Sequence, residues 1–201
     1  MVQHCLSFQL KQQITIFTSV SRNYKFRNPE GLYFATFSVI RWIDVFTRRE
    51  YKDILVDSLK HCITHKGLEL YAWVIMSNHV HLIIGTKDKP LESIMRDIKR
   101  HTSKALVKAI DENKLESRRE WMLWFFEREG QANPNNEHYQ FWQQGNHPIE
   151  LWSNEVMDQK LDYLHNNPVT AGWVDEPEHY LYSSARDYAS GKGLIDLILL
   201  V

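Results

Sequence analysis

The run Asn78-His-Val-His-Leu-Ile-Ile84 sets two imidazoles two residues apart in a stretch otherwise built for burial. On a strand such residues point the same way, so His79 and His81 share one face while Val80, Leu82 and Ile84 take the other. Two protonated rings that close repel, whereas two neutral rings can both donate a lone pair to one divalent cation. A pair of surface histidines on an exposed strand face fits the same spacing, and spacing alone leaves both readings open. A second group is Leu161-Asp-Tyr-Leu-His-Asn-Asn-Pro168, where Tyr163 and Asn167 fall one helical turn apart. A phenol becomes a nucleophile when a metal or base lowers the cost of the phenolate, and an amide oxygen at i+4 can be a third metal ligand. A tyrosine packed at a helix end, with Asn residues capping and turning the chain before Pro168, fits equally well.

The third group is electrostatic. Between Lys87 and Lys108 stand seven Lys/Arg against Asp88, Glu92 and Asp97. Arg96, Lys99, Arg100 and Lys104 recur at three- and four-residue steps, a basic stripe on one helix face that can neutralise phosphates or simply be solvated. Glu150 to Glu178 holds seven acids and one Lys, so charge is segregated along a chain whose formal net charge is only −1. Globally, nothing basic advertises nucleic acid.

Elements must position these groups. The 201 residues are 43% hydrophobic and 24% charged, which excludes a disordered or fibrous chain and fits one large domain. No apolar run is long enough to span a membrane. Cys5 and Cys62 cannot build a disulfide framework, which points to a reducing, cytoplasmic setting. Residues 1–28 read as an extension, with Ile14, Ile16 and Phe17 as a strand candidate and no secretory pattern. Gly31 to Ile40 reads as a strand, and Thr47-Arg-Arg-Glu50 as a capping box opening a helix that Gly67 stops. Leu68–Met76 and Val80–Gly85 read as a hairpin turning at Ser77-Asn78, and Pro90 suits the first turn of a helix through Leu106. Asp111 to Glu137 reads as a long connection and Tyr139 to Trp142 as a fourth strand. Ser153 caps a helix that Pro168 should end within a residue or two. Strand, helix, hairpin, helix, strand, helix predicts an α+β fold, an antiparallel sheet with helices packed on one face.

Together, Tyr71-Ala-Trp-Val-Ile-Met-Ser-Asn-His-Val-His-Leu-Ile-Ile84, Asp162-Tyr-Leu-His-Asn-Asn-Pro-Val-Thr-Ala-Gly-Trp-Val174 and Tyr182-Ser-Ser-Ala185 resemble the single-tyrosine HUH transposases, and within them the REP-associated tyrosine transposases. The resemblance runs over residues 29–193 and leaves 194–201 as a tail. It implies a ferredoxin-like sheet and DNA strand cleavage and rejoining through a 5′-phosphotyrosine. It also implies a divalent cation, Mg²⁺ or Mn²⁺, and single-stranded or hairpin repeat DNA as partner, in a bacterial, nucleoid-associated protein compatible with a homodimer. Carried over by position, Tyr163 is the nucleophile and His79, His81 and Asn167 the metal ligands; the phosphates would fall to the basic stripe of Arg96, Lys99, Arg100 and Lys104. Related insertion-sequence transposases carry Gln where Asn167 stands. Two alternatives share parts of this pattern: a domesticated protein that binds or nicks hairpins without moving DNA, and a ferredoxin-like RNA-binding module. The second needs exposed aromatics on the central strands, where this chain has His79 and His81.

Overall fold

Alternation along each strand decides which face it buries. In the computed structural model, which describes residues 26–133 and 138–200, strand β1 (Tyr33–Ser38) sends Tyr33, Ala35 and Phe37 into the main core and Phe34 to the other face. Strand β3 (His79–Thr86) does the same with Val80, Leu82 and Ile84 against Ile83. Strand β2 (Leu68–Ile75) changes parity partway, burying Leu68 and Leu70 and then Trp73 and Ile75 on the core side. A bulge causes this, since the register steps from Leu70 opposite Ile84 to Ala72 opposite Ile83. The expected strand candidate at Ile14 to Phe17 lies outside the described residues.

Two long helices cover the core face. Helix α1 (Arg49–Lys66) turns Tyr51, Leu55, Leu59 and Cys62 inward and stops at Gly67, whose φ of 73° an L-residue rarely adopts. Helix α2 (Leu91–Glu112) buries Ile94, Met95, Ile98, Leu106 and Ile110 in one stripe. All strand pairings are antiparallel and the spatial order is β2-β3-β1-β4, with β4 (Ile149–Glu150) beside Tyr33 and Phe34. Chain order and sheet order together are the split βαβ arrangement of ferredoxin-like folds, as the sequence predicts.

Several local expectations give way. The Thr47 capping box does not form: Arg48 occupies the cap position, the Thr47 hydroxyl accepts from Arg118 at 2.9 Å and Glu50 accepts from Asn113. The connection after Asp111 contains helix α3 (Arg119–Gln131), whose buried Met122 and Phe126 are hidden in sequence by the exposed Trp121 and Trp124 around them. Tyr139 to Trp142 is no strand. Phe141 and Trp142 plug the core while their backbone meets β1 beyond its end, through Ile40 N–H to Phe141 O and an isolated bridge from Val39 to Trp142. The true fourth strand has only two residues, too few to show alternation. Residues 194–200, read as a tail, pack into the domain: Ile195 is buried and the Ile198 amide bonds Leu70 O.

The helices are not confined to one face as the sequence pattern suggests, because the opposite face of the sheet carries helix α4 (Asn154–Thr170). Ser153 caps it as predicted, its Oγ accepting from the Val156 amide at 3.3 Å. Pro168 does not end it. Proline removes a single donor there, and the helix runs on to Thr170 because Ala171 N–H still reaches Asn167 O. Leu164 seats α4 on Phe34, Ala72, Val74, Met76 and Ile83.

Candidate active site

His79 and His81 point from β3 toward the α4 side of the sheet, their rings 4.8 Å apart. His81 lies opposite Thr36 in the β1–β3 register, and its Nδ1 is 2.7 Å from Thr36 Oγ1. The His79 Nδ1 is 2.7 Å from Asn78 Oδ1. Both Asn78 amide hydrogens are already engaged, by Trp42 O at 3.2 Å and Asp44 Oδ1 at 2.8 Å, so Asn78 can only accept from His79. His79 therefore carries its proton on Nδ1 and offers a bare Nε2. The same assignment at His81, with Nδ1–H donating to Thr36, leaves Nε2 as a lone pair, and that atom is buried without a hydrogen-bond partner. Burial drives both pKa values down, His79 to about 4 against the opposing pull of Asp44, and His81 to about 3 with help from His79 and Lys160. Both rings are thus neutral at pH 7 and fit for a cation.

Tyr163 stands over this pair. Its ring is 5.4 Å from that of His81 and 6.0 Å from Phe34, which itself stacks on His81. It is 52% exposed, whereas Tyr180, Tyr182 and Tyr188 are tied down, to Ile75 O, Asp53 and Tyr71 O, and Tyr139 is half-buried with its hydroxyl bonded to Ser103. Asn167, one turn on, donates to the Tyr163 carbonyl at 3.4 Å, which leaves its side-chain oxygen to accept. Among the described residues no group of three or more His, Cys, Asp or Glu could hold a metal, so any cation here must rely on the two imidazoles and neutral oxygens. The orphaned Nε2 of His81 fits such an ion.

The structure adds residues that the sequence reading passed over. Lys160, three positions before Tyr163 on α4, holds its ammonium 5.3 Å from the Phe34 ring centre and 5.7 Å from that of Tyr163. Helical spacing from Tyr163 could have found it. Thr36 could not have been found without the strand register.

The basic stripe divides. Arg96, Arg100 and Lys104 are exposed on α2, but Lys99 turns away from solvent. Its Nζ donates to Gln143 O at 2.8 Å, Gly145 O at 2.9 Å and Asn146 Oδ1 at 3.3 Å, and burial lowers its pKa to about 8. Lys99 is therefore a strut between α2 and the segment along the outer edge of β1, where Asn146 O takes the Thr36 amide. Arg100 and Lys104 form the ridge between two clefts, one of about 500 Å³ facing residues 138–144 and one of about 580 Å³ facing α1. The sheet separates them from the imidazoles: α2 covers the Val80–Leu82–Ile84 face, and the histidines point the other way.

A ferredoxin-like sheet thus carries paired neutral imidazoles beneath an exposed tyrosine. Residues 35–136 match the family described as "Transposase IS200 like", and the chain belongs to that family of transposases. The matched span includes His79 and His81 and ends before Tyr163. Among solved structures, the chain is similar to a REP-associated tyrosine transposase bound to a REP hairpin, at 18% identity and a TM-score of 0.59, over 90% of this chain and 92% of that one. It is also similar to a candidate transposase from Deinococcus radiodurans, at 18% identity and a TM-score of 0.42, over 74% of this chain and 95% of that one. No curated protein matches it. No helix among the described residues is long and apolar enough to cross a membrane.

Proposed function

We propose that this transposase cleaves and rejoins single-stranded DNA through Tyr163, with His79, His81 and Asn167 holding a divalent cation, Mg²⁺ or Mn²⁺. The observation that carries the reading is the exposed phenol of Tyr163 set 5.4 Å from a buried imidazole whose Nε2 has no partner. The Tyr163 oxygen forms a bond to phosphorus, the P–O3′ bond breaks, the phenol proton goes to solvent and the 3′-oxygen takes one up. The product is a 5′-phosphotyrosine, and because it remains a diester the free 3′-hydroxyl can attack it later without ATP. When bound, the cation supplies Lewis-acid polarisation of the phosphate. Thr36 and Asn78 fix the ring tautomers, and Lys160 places a positive charge where a phosphate oxygen approaches Tyr163. Arg96, Arg100 and Lys104 bind the backbone of a hairpin or repeat on the other side of the sheet, with the unpaired flank reaching Tyr163. The hairpin in the similar REP-associated structure motivates that choice of partner.

The test is incubation with labelled hairpin DNA carrying a single-stranded flank, plus Mn²⁺. A covalent adduct is expected, absent in Tyr163→Phe, which still binds the hairpin. Mass spectrometry placing the phosphate on another tyrosine refutes the assignment, as does an adduct in the Phe variant. Mn²⁺ binding followed by calorimetry is expected to vanish in His81→Ala, and unchanged binding there removes the ligand role.

A further inference from the structure

Arg41 and Trp42 both have positive φ, 52° and 54°, in the 3₁₀ turn Ile40–Trp42 that follows β1. Two consecutive non-glycine residues in that region, one a bulky aromatic, are a backbone that must be held in place. Here it is held: Trp42 N–H bonds Val39 O at 3.1 Å, Ile43 N–H bonds Ile40 O at 3.2 Å, and Asn78 Nδ2 bonds Trp42 O at 3.2 Å. The result is not a buried indole. Trp42 is 49% exposed and meets the edge of His79, ring centres 5.9 Å apart.

Four rings therefore stand in the order Trp42, His79, His81, Tyr163, with steps of 5.9, 4.8 and 5.4 Å. The register fixes their direction. Tyr163 touches Phe34, which lies opposite Ile83, while Trp42 lies beyond the other end, where Ser38 pairs with His79. In an in-line displacement the leaving oxygen departs on the side away from the attacker. With Tyr163 attacking from one end, the 3′-oxygen, its sugar and its base lie toward the other. The charge of Asp44 beside His79 disfavours a phosphate at that corner, whereas a flat indole suits any base.

We propose that Trp42 is the stacking platform for the base immediately 5′ of the scissile phosphate, retaining the strand that carries the released 3′-hydroxyl until it is rejoined. This rests on the tyrosine-nucleophile reading above. The test compares wild type, Trp42→Ala and Trp42→Phe on hairpin DNA whose nucleotide 5′ of the mapped cleavage position is normal or abasic, scoring adduct formation and strand rejoining separately. In the Ala variant rejoining is expected to fall roughly five- to a hundred-fold, the range for one stacked base, and further than adduct formation, with Phe recovering most of it. The abasic site is expected to bring wild type down to the Ala level and to leave the Ala variant unchanged. Equal rejoining by wild type and Ala overturns the platform, and so does an equal abasic effect in both. No adduct in the wild type refutes the nucleophile reading and the platform together, whereas an adduct with unaltered rejoining in the Ala variant refutes the platform alone.

Discussion

Lowering the pH from 7 to 5 is expected to cost this fold several kcal/mol before carboxylates contribute. Three imidazoles are buried and neutral: His79 and His165 with pKa values near 4, and His81 near 3. In the unfolded chain each returns to about 6.5. As pH falls through 6.5 the unfolded state takes up protons that the folded state refuses, so stability rises with pH between about 4 and 6.5 and is complete above that window. At pH 5 each ring then accounts for about 2 kcal/mol, and three for about 6. That is a large share of a typical domain's stability of about 10 kcal/mol. The carboxyl with the deepest shift, Glu116, is held near pKa 2 by Arg118 and Arg48 against the burial that opposes them, so its contribution is lost only below about pH 4.5. Urea denaturation in EDTA at pH 7, 6 and 5 separates the two windows. A stability constant to within about 1 kcal/mol over that range would show that the imidazoles are not buried neutral, and the tautomer reasoning at the site would fall with it.

Arg100→Ala and Lys104→Ala should each reduce the salt dependence of hairpin binding by about one unit of log–log slope. Lys99→Met should leave that slope alone and instead cost about 1–3 kcal/mol of stability by stripping three oxygens of their donor; a change in slope without loss of stability reverses the two roles. Gly130→Ala should destabilise by about 1–3 kcal/mol in a thermal melt, because its Cβ would sit 2.3 Å from Tyr139 Cα, a backbone atom that cannot swing aside. A neutral effect there would mean that the α3 terminus is not packed against that segment.

What the sequence disclosed depended on whether a signal was local. His79 and His81 are read from a two-residue period, and the inward faces of α1 and α2 from a helical one. The hairpin turn, the Ser153 cap and the Gly67 stop are also local. Long-range pairing is where reading fails. Thr47 has the chemistry of a cap but finds Arg118 instead, seventy-one residues away. Lys99 looks like its basic neighbours, and only the return of residues 143–146 along the β1 edge turns it inward. Trp42 lies in an unremarked stretch, because nothing in Val39-Ile-Arg-Trp42 announces two left-handed residues in succession.

The three stretches that made the family legible turn out to be one mechanical device. His165, two residues after Tyr163, is buried against the other side of α4, with Nε2 2.8 Å from Ser184 Oγ. Ser184 in turn accepts from the Trp73 amide at 2.9 Å, and its own amide bonds Trp73 O at 2.9 Å, so the Tyr182-Ser-Ser-Ala185 stretch is laid along the free edge of β2. Trp73 belongs to the first stretch, the hairpin that ends in the histidine pair. A helix resting on Leu164 alone could rotate about its axis and carry the phenol off the imidazoles. A buried hydrogen bond from His165, on the side opposite Tyr163, fixes that rotation, and a ring kept neutral by burial holds the bond without adding charge to the core. Residues 73, 165 and 184 touch no DNA in this reading. They are why Tyr163 faces the place where His79 and His81 present their lone pairs.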